Sequence, residues 1–141
     1  MQDEFHDLII DQNNYKWIVN SETKGLIVFD DNNTLDNVSD DAYVKITNTP
    51  GASIECIVED QDGEIWLGTD KGVAVIYNTA SVFNENVVAE HIFLQQDGQT
   101  QKLLETEIVT VIKIDGANRK WIGTQNSGVY LMSEDGTEEI E

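Results

Sequence analysis

Glu64-Ile65-Trp66-Leu67-Gly68-Thr69-Asp70-Lys71-Gly72-Val73 decides the fold, because the chain states it three times. A short apolar run carrying a Trp leads through a turn into a second apolar run that opens on Gly. The statement recurs as Lys16-Trp17-Ile18-Val19 with Lys24-Gly25-Leu26, and as Lys120-Trp121-Ile122-Gly123-Thr124 with Ser127-Gly128-Val129. All three tryptophans of the protein sit in it. A repeat settles architecture ahead of any local reading.

Aligned on Trp17, Trp66 and Trp121, the copies share an Asp six residues earlier: Asp11, Asp60 and Asp115. Apolar runs precede each Asp, and others follow Gly25, Gly72 and Gly128. Short runs rich in Val, Ile and aromatics, bounded by Asp, Asn and Gly, are strands. The Asp-to-Trp segment reads as a tight hairpin whose constant length fixes register. Outer strands are weaker: Ala42 to Thr47 in the first copy, His91 to Gln95 in the second. After Met132 only Ser133 to Glu141 remain, room for a partial outer strand. The Trp-to-Trp spacings of 49 and 55 residues are at the long end for propeller blades.

The first two strands of a copy are apolar on both faces, since Trp66 and Ile65 point opposite ways. Such a sheet must be covered twice, which blades stacked around an axis achieve and a sandwich with polar outer faces does not. The expected fold is all-β: a partial β-propeller of about three four-stranded antiparallel blades, the last one truncated. One segment, 1–141, divides into repeats at about 1–47, 48–106 and 107–141. Closed propellers take about four to eight blades. The expected partners are therefore the remaining blades of a longer propeller or a second copy of the chain.

Composition narrows function. Against 27 acidic residues stand 8 basic ones, a formal net charge of −19. Nucleic acid and anionic membrane surfaces call for the opposite sign. No run approaches the ~20 apolar residues of a membrane helix, and the N-terminus has no basic-then-apolar leader. The single cysteine, Cys56, lies in an apolar alternating run and reads as a buried thiol. Acids are plentiful but scattered over turns, without the convergent groups that catalysis needs; the expectation is no enzyme and no cofactor. Asp62-Gly63 lacks the closing Glu of an EF-hand loop, and in Asp30 to Asp41 Leu35 stands where such a loop wants Gly. Both read as polar turns, with no metal expected.

The stretch Ile57 to Val73, with its acidic residue, Asp-Gly turn, Trp-Leu-Gly-Thr strand and Gly-started strand, resembles the two-component regulator propeller repeat. Ile114 to Thr124 matches nearly as well; the first copy departs, with Val19-Asn20 in place of Gly-Thr. The resemblance implies the periplasmic sensor region of a hybrid two-component system, with an oligosaccharide as possible ligand. The copy from Val109 to Leu131 is also similar to repeats in a propeller protein of type IX secretion, which implies a structural or adaptor role instead. Either implies an exported, periplasmic or cell-surface protein.

The repeat residues Trp17, Trp66, Trp121, Asp11, Asp60, Asp115, Gly25, Gly72 and Gly128 are expected to be structural, the three indoles as interblade core. Ligand contact, if any, is expected from loops where the copies differ: Asn20, Ser21, Asp70, Lys71, Gln125, Asn126 and Ser127, with the links at 48–52 and 95–105.

Overall fold

Three Trp-bearing hairpins nucleate three sheets. The computed structural model describes residues 5–20, 25–51 and 53–141. Blade 1 is an antiparallel meander of β1 (Phe5–Ile10), β2 (Lys16–Asn20), β3 (Gly25–Asp30) and β4 (Ala42–Ile46). Blade 2 follows as β5 (Ile54–Glu59), β6 (Ile65–Thr69), β7 (Gly72–Ile76) and a two-residue β8 (Glu90–His91). A separate hairpin, β9 (Phe93–Gln96) with β10 (Gln99–Lys102), comes next. Blade 3 is β11 (Val109–Ile114), β12 (Lys120–Thr124) and β13 (Val129–Met132). The chain is thus all-β and forms part of a propeller.

Register repeats with the sequence. Trp17 lies opposite Val28, Trp66 opposite Val75 and Trp121 opposite Leu131. The first strand of each blade carries an irregularity at the same place, between Phe5 and Asp7, Ile54 and Cys56, and Val109 and Val111. Equal hairpins and equal bulges make the three sheets near-copies, the condition for stacking them face to face.

The hairpin is held by its Asp. Oδ1 of Asp11 accepts from the backbone N–H of Asn13 (2.8 Å) and Tyr15 (2.9 Å), while Oδ2 accepts from the Trp17 indole N–H (2.8 Å). Asp60 does the same with Asp62, Glu64 and Trp66, and Asp115 with Ala117, Arg119 and Trp121. The residue three after each Asp turns left-handed: Asn14 (φ 66), Gly63 (φ 83) and Asn118 (φ 58). Asn and Gly are the residues that tolerate that conformation. At the other end of the Trp strand Thr69 Oγ1 bonds the Gly72 carbonyl and Thr124 Oγ1 the Gly128 carbonyl, both across the next turn.

Two apolar layers lie between the three blades. In the first, Trp17, Val19, Leu26 and Val28 of blade 1 meet Ile57, Ile65, Leu67 and Ile76 of blade 2. In the second, Cys56, Trp66, Val73 and Val75 of blade 2 meet Val109, Ile112 and Ile122 of blade 3. Every residue of β6 and β7 is buried, as expected of a strand pair covered on both faces. Gly68 permits the close approach: a Cβ there would stand 2.4 Å from Cys56 Sγ and 2.7 Å from Val109 Cγ1.

Two expectations need correction, one for blade 2 and one for Trp121, while the outer strand of blade 3 is partial as expected. The outer strand of blade 2 stops at His91, because Phe93 turns away to pair with Lys102; the link at 95–105 is therefore partly strand, not loop. The partial outer strand of blade 3 is present as a return of the last residues, with Met132 bridged to Glu139 and Leu131 N–H bonded to the Glu141 carbonyl at 2.9 Å. Trp121 is not core: it is 41% exposed where Trp17 and Trp66 are fully buried. Each Trp faces the following blade, and among the described residues none follows blade 3.

Candidate functional site

Successive residues of a strand face opposite neighbours, so the residue before each Trp is aimed at the preceding blade. In blade 2 that residue is Ile65, packed in the layer with Trp17. In blade 3 it is Lys120, and its whole side chain is buried. Lys120 Nζ donates to Asp60 Oδ2 at 2.9 Å, to the Asn118 carbonyl at 2.9 Å and to the Glu134 carbonyl. It also stands 4.6 Å from the centre of the Trp66 ring. A cation, the indole and the carboxylate that clamps that indole are stacked at one blade junction. Buried charge persists when paired and fully hydrogen-bonded, and all three donor positions of this ammonium are used.

Burial is the largest influence on Asp60 and opposes its ionisation. The Lys120 ammonium and the backbone N–H groups of Glu64 and Asp62 outweigh it and hold the carboxyl below its ordinary value. Asp115 is also lowered, to about 2, first through the Trp121 indole N–H and then through the N–H groups of Arg119 and Ala117 and the Arg119 side chain. Burial pushes Glu64 up, helped by the Asp60 charge. The Cys56 thiol is raised by burial to about 11, which makes it unreactive as a nucleophile at neutral pH.

The hairpin turns of neighbouring blades also touch. Gln61 N–H donates to Asn118 Oδ1 at 3.0 Å, Asn118 Nδ2 donates to Asp62 Oδ2 at 2.9 Å, and Gln12 N–H donates to Glu59 Oε2 at 2.8 Å.

The residues singled out for ligand contact gather only in part. Ser53 N–H donates to Asp70 Oδ1 (3.1 Å), which pins the β6–β7 turn to the link from blade 1. Ser127 Oγ donates to Glu107 Oε1 (2.7 Å), and Gly72 N–H donates to the Glu107 carbonyl (3.0 Å). Glu107 thus draws the turns of blades 2 and 3 to one end. Lys71, Gln125 and Asn126 are exposed there. Asn20 is buried, and Ser21 lies outside the described residues. An open groove of about 250 Å³ shares Glu107 with that end and is walled by the Gln101–Glu107 stretch, Leu94, Tyr130, Met132 and Glu139.

The Asp30–Asp41 segment closes on itself: Asp30 and Asp31 cap the N–H groups of Asn32 and Asn33, Thr34 bonds Asp40, and Asp31 pairs with Lys16 at 2.9 Å. Among the described residues, no group of three or more His, Cys, Asp or Glu side chains is placed to hold a metal ion.

Sequence reading missed Lys120, though a signal was there. The first and third copies place Lys before Trp where the second has Ile, and strand alternation turns that position onto the preceding blade.

Residues 49–71, which span the second hairpin and its Trp strand, match the family described as two component regulator propeller. That stretch carries the family's repeat. This propeller chain superposes over 98% of its length on PorZ, an essential bacterial surface component of the type-IX secretion system of Porphyromonas gingivalis, with a TM-score of 0.89 and 27% identity. It also matches the extracellular domains of two proteins from B. thetaiotaomicron. One is the putative hybrid two-component system BT3049 (TM-score 0.56, 20% identity, 90% of this chain); the other is the putative one-component system BT4673 (0.60, 19%, 94%). The propeller chain spans 21% of the PorZ chain and 14% and 16% of the other two. Among curated proteins, no sequence match is found. Among the described residues no helix is long and apolar enough to cross a membrane.

Proposed function

We propose that this chain is a non-enzymatic interaction element of a bacterial cell-surface assembly, serving as propeller blades in a structural or adaptor role. The supporting observation is the likeness to PorZ, which extends over 98% of the chain at a TM-score of 0.89. Likeness at that level to a surface component of a secretion system supports an exported location as well. The side chains that the repeat shares go into hairpins and junctions, which fits a scaffold whose specificity is carried by its edges.

The second reading is a periplasmic sensor segment that takes an oligosaccharide. The family description supports it, as does the exposed polar cluster of Lys71, Gln125 and Asn126 at one end of adjacent blades. An in-frame deletion of residues 5–141 in the native host separates the two. The adaptor reading expects export of surface cargo to fail while transcriptional responses to oligosaccharides persist. Intact export with a lost response to an oligosaccharide refutes it in favour of the sensor.

A further inference from the structure

The junction of blades 2 and 3 is left open at its rim. Tyr130 and Met132 lie opposite Ile122 and Lys120, and cross-strand partners share a face, so both turn toward blade 2. Their counterparts in blade 2, Ala74 and Ile76, are fully buried in a cluster that includes Ile46, Val82 and Ala89. Blade 3 receives less cover, because the outer strand of blade 2 stops after Glu90–His91 where that of blade 1 runs from Ala42 to Ile46. The chain leaves for the β9–β10 hairpin instead, and the groove of about 250 Å³ lies between that hairpin and blade 3. Its walls come from two blades already in contact. Further blades stack on the opposite faces of these two and do not reach it.

The floor of the groove is apolar: Leu103 and Met132 are buried, Leu94 and Tyr130 half-buried. Its rim is acidic, with Glu105, Glu107 and Glu139 against one cation, Lys102. None of these acids enters an ion pair among the described residues, and Glu107 alone has a side-chain hydrogen bond, from Ser127. Past Leu94 and Glu139 the groove continues for about 340 Å³ beside Gln95 and Glu138. Leu94 and Gln95 project to opposite faces of the hairpin, and both line this part, so it follows an edge of β9. That edge is free: β9 has β10 on one side, and no other strand pairs with it among the described residues. A free edge offers its backbone N–H and C=O groups to a strand from another chain.

We propose that this groove docks an extended, basic segment of a partner protein along the free edge of β9, with lysine or arginine side chains on Glu105 and Glu139 and apolar ones on Leu94 and Tyr130. Charge complementarity selects the occupant. Glu105, Glu107, Glu138 and Glu139 outnumber Lys102 along the two parts, and a net charge of −19 draws cationic partners and repels acidic ones. Alternation along an extended segment sends basic side chains one way and apolar ones the other, which suits an acidic rim over an apolar floor. The inference rests on the reading of the chain as an interaction element, and adds the class of partner and the place where it binds.

Fluorescence polarisation with a labelled peptide of alternating Lys and Val, added to the intact chain at about 0.15 M salt, tests this. Saturable binding of one peptide per chain is expected, and none of a matching peptide of Glu and Val. Glu105→Gln with Glu139→Gln, both at exposed positions, should weaken binding about fivefold. Leu94→Ser should weaken it as well, with circular dichroism unchanged. Asp36→Asn with Asp41→Asn makes the same change of charge on blade 1 and should leave binding as it was. Amide shifts caused by the peptide should cluster on Phe93 to Gln95 and Gln101 to Glu107. No saturation up to roughly 1 mM, or equal binding of the Glu–Val peptide, overturns the proposal. Equal weakening by the blade 1 pair overturns it in favour of diffuse attraction to the whole anion. Failure of binding leaves the export phenotype of the deletion as it is, so the groove and the interaction reading fail separately.

Discussion

Replacing Lys120 by Met isolates what the buried cation does. The change keeps an unbranched apolar stem against Trp66 and deletes the ammonium. Asp60, whose side chain is fully buried, keeps its three N–H donors from Asp62, Glu64 and Trp66 but loses its counter-charge. Removing one partner of a buried ion pair costs about 3–5 kcal/mol. The three remaining donors put this case at the low end, about 3 kcal/mol. The junction of blades 1 and 2 supplies an internal control: Asp11 is 5% exposed and holds the equivalent three donors, and the position in blade 2 that corresponds to Lys120 is Ile65, not a cation. An Asp in this turn therefore survives without a lysine, which argues against the upper end of the range. Urea unfolding at neutral pH, followed by Trp emission at two protein concentrations to separate association from folding, gives the number. The double variant Lys120→Met with Asp60→Asn removes both charges, and should be more stable than the sum of the single losses by over ~1 kcal/mol. A loss below about 1 kcal/mol for Lys120→Met, the size of a solvated surface pair, refutes the reasoning, as does simple additivity in the double variant.

The three Asp–Trp clamps should differ in strength by burial: Trp17→Phe is expected to cost about 2–3 kcal/mol, since it leaves Asp11 Oδ2 buried without its indole donor, and Trp121→Phe under about 1, both read by urea unfolding. Asp115 falls from 3.8 to about 2 on folding, so its ionised form favours the folded state above about pH 4 and that contribution drains away toward pH 2. The gap in Tm between wild type and Asp115→Asn should accordingly be widest near neutral pH and close between about pH 4 and 2; a constant gap would sink the assignment. Gly68→Ala should cost about 2–3 kcal/mol, because the new methyl meets Cys56 and Val109, whereas Gly128→Ala, at φ +80 but in open space, should cost about 1. Equal losses at the two sites would show that backbone conformation, not close approach, sets the requirement at Gly68.

The sequence by itself determined the blade. Period, Trp position, the Asp six residues before it and the Gly after the turn are local facts, and a hairpin with a fixed turn needs nothing distant to set its register. The apolar character of both faces of the Ile65–Thr69 strand even required neighbours on two sides. What the Asp does was only half legible: its turn-closing role follows from its place in the loop, but its bond to the indole reaches from the turn into the next strand and depends on which way the Trp is turned. Tertiary structure decided the rest. Whether an indole is core or surface was settled by whether a blade lies over it, which is why Trp121 departs from Trp17 and Trp66 despite the same motif. Lys120 became a buried partner of Asp60 through stacking, whereas Lys16, at the same place in its own blade, pairs with Asp31. Residues 60 positions apart are joined there, and contacts at such distances arise from packing rather than from any periodicity within one repeat.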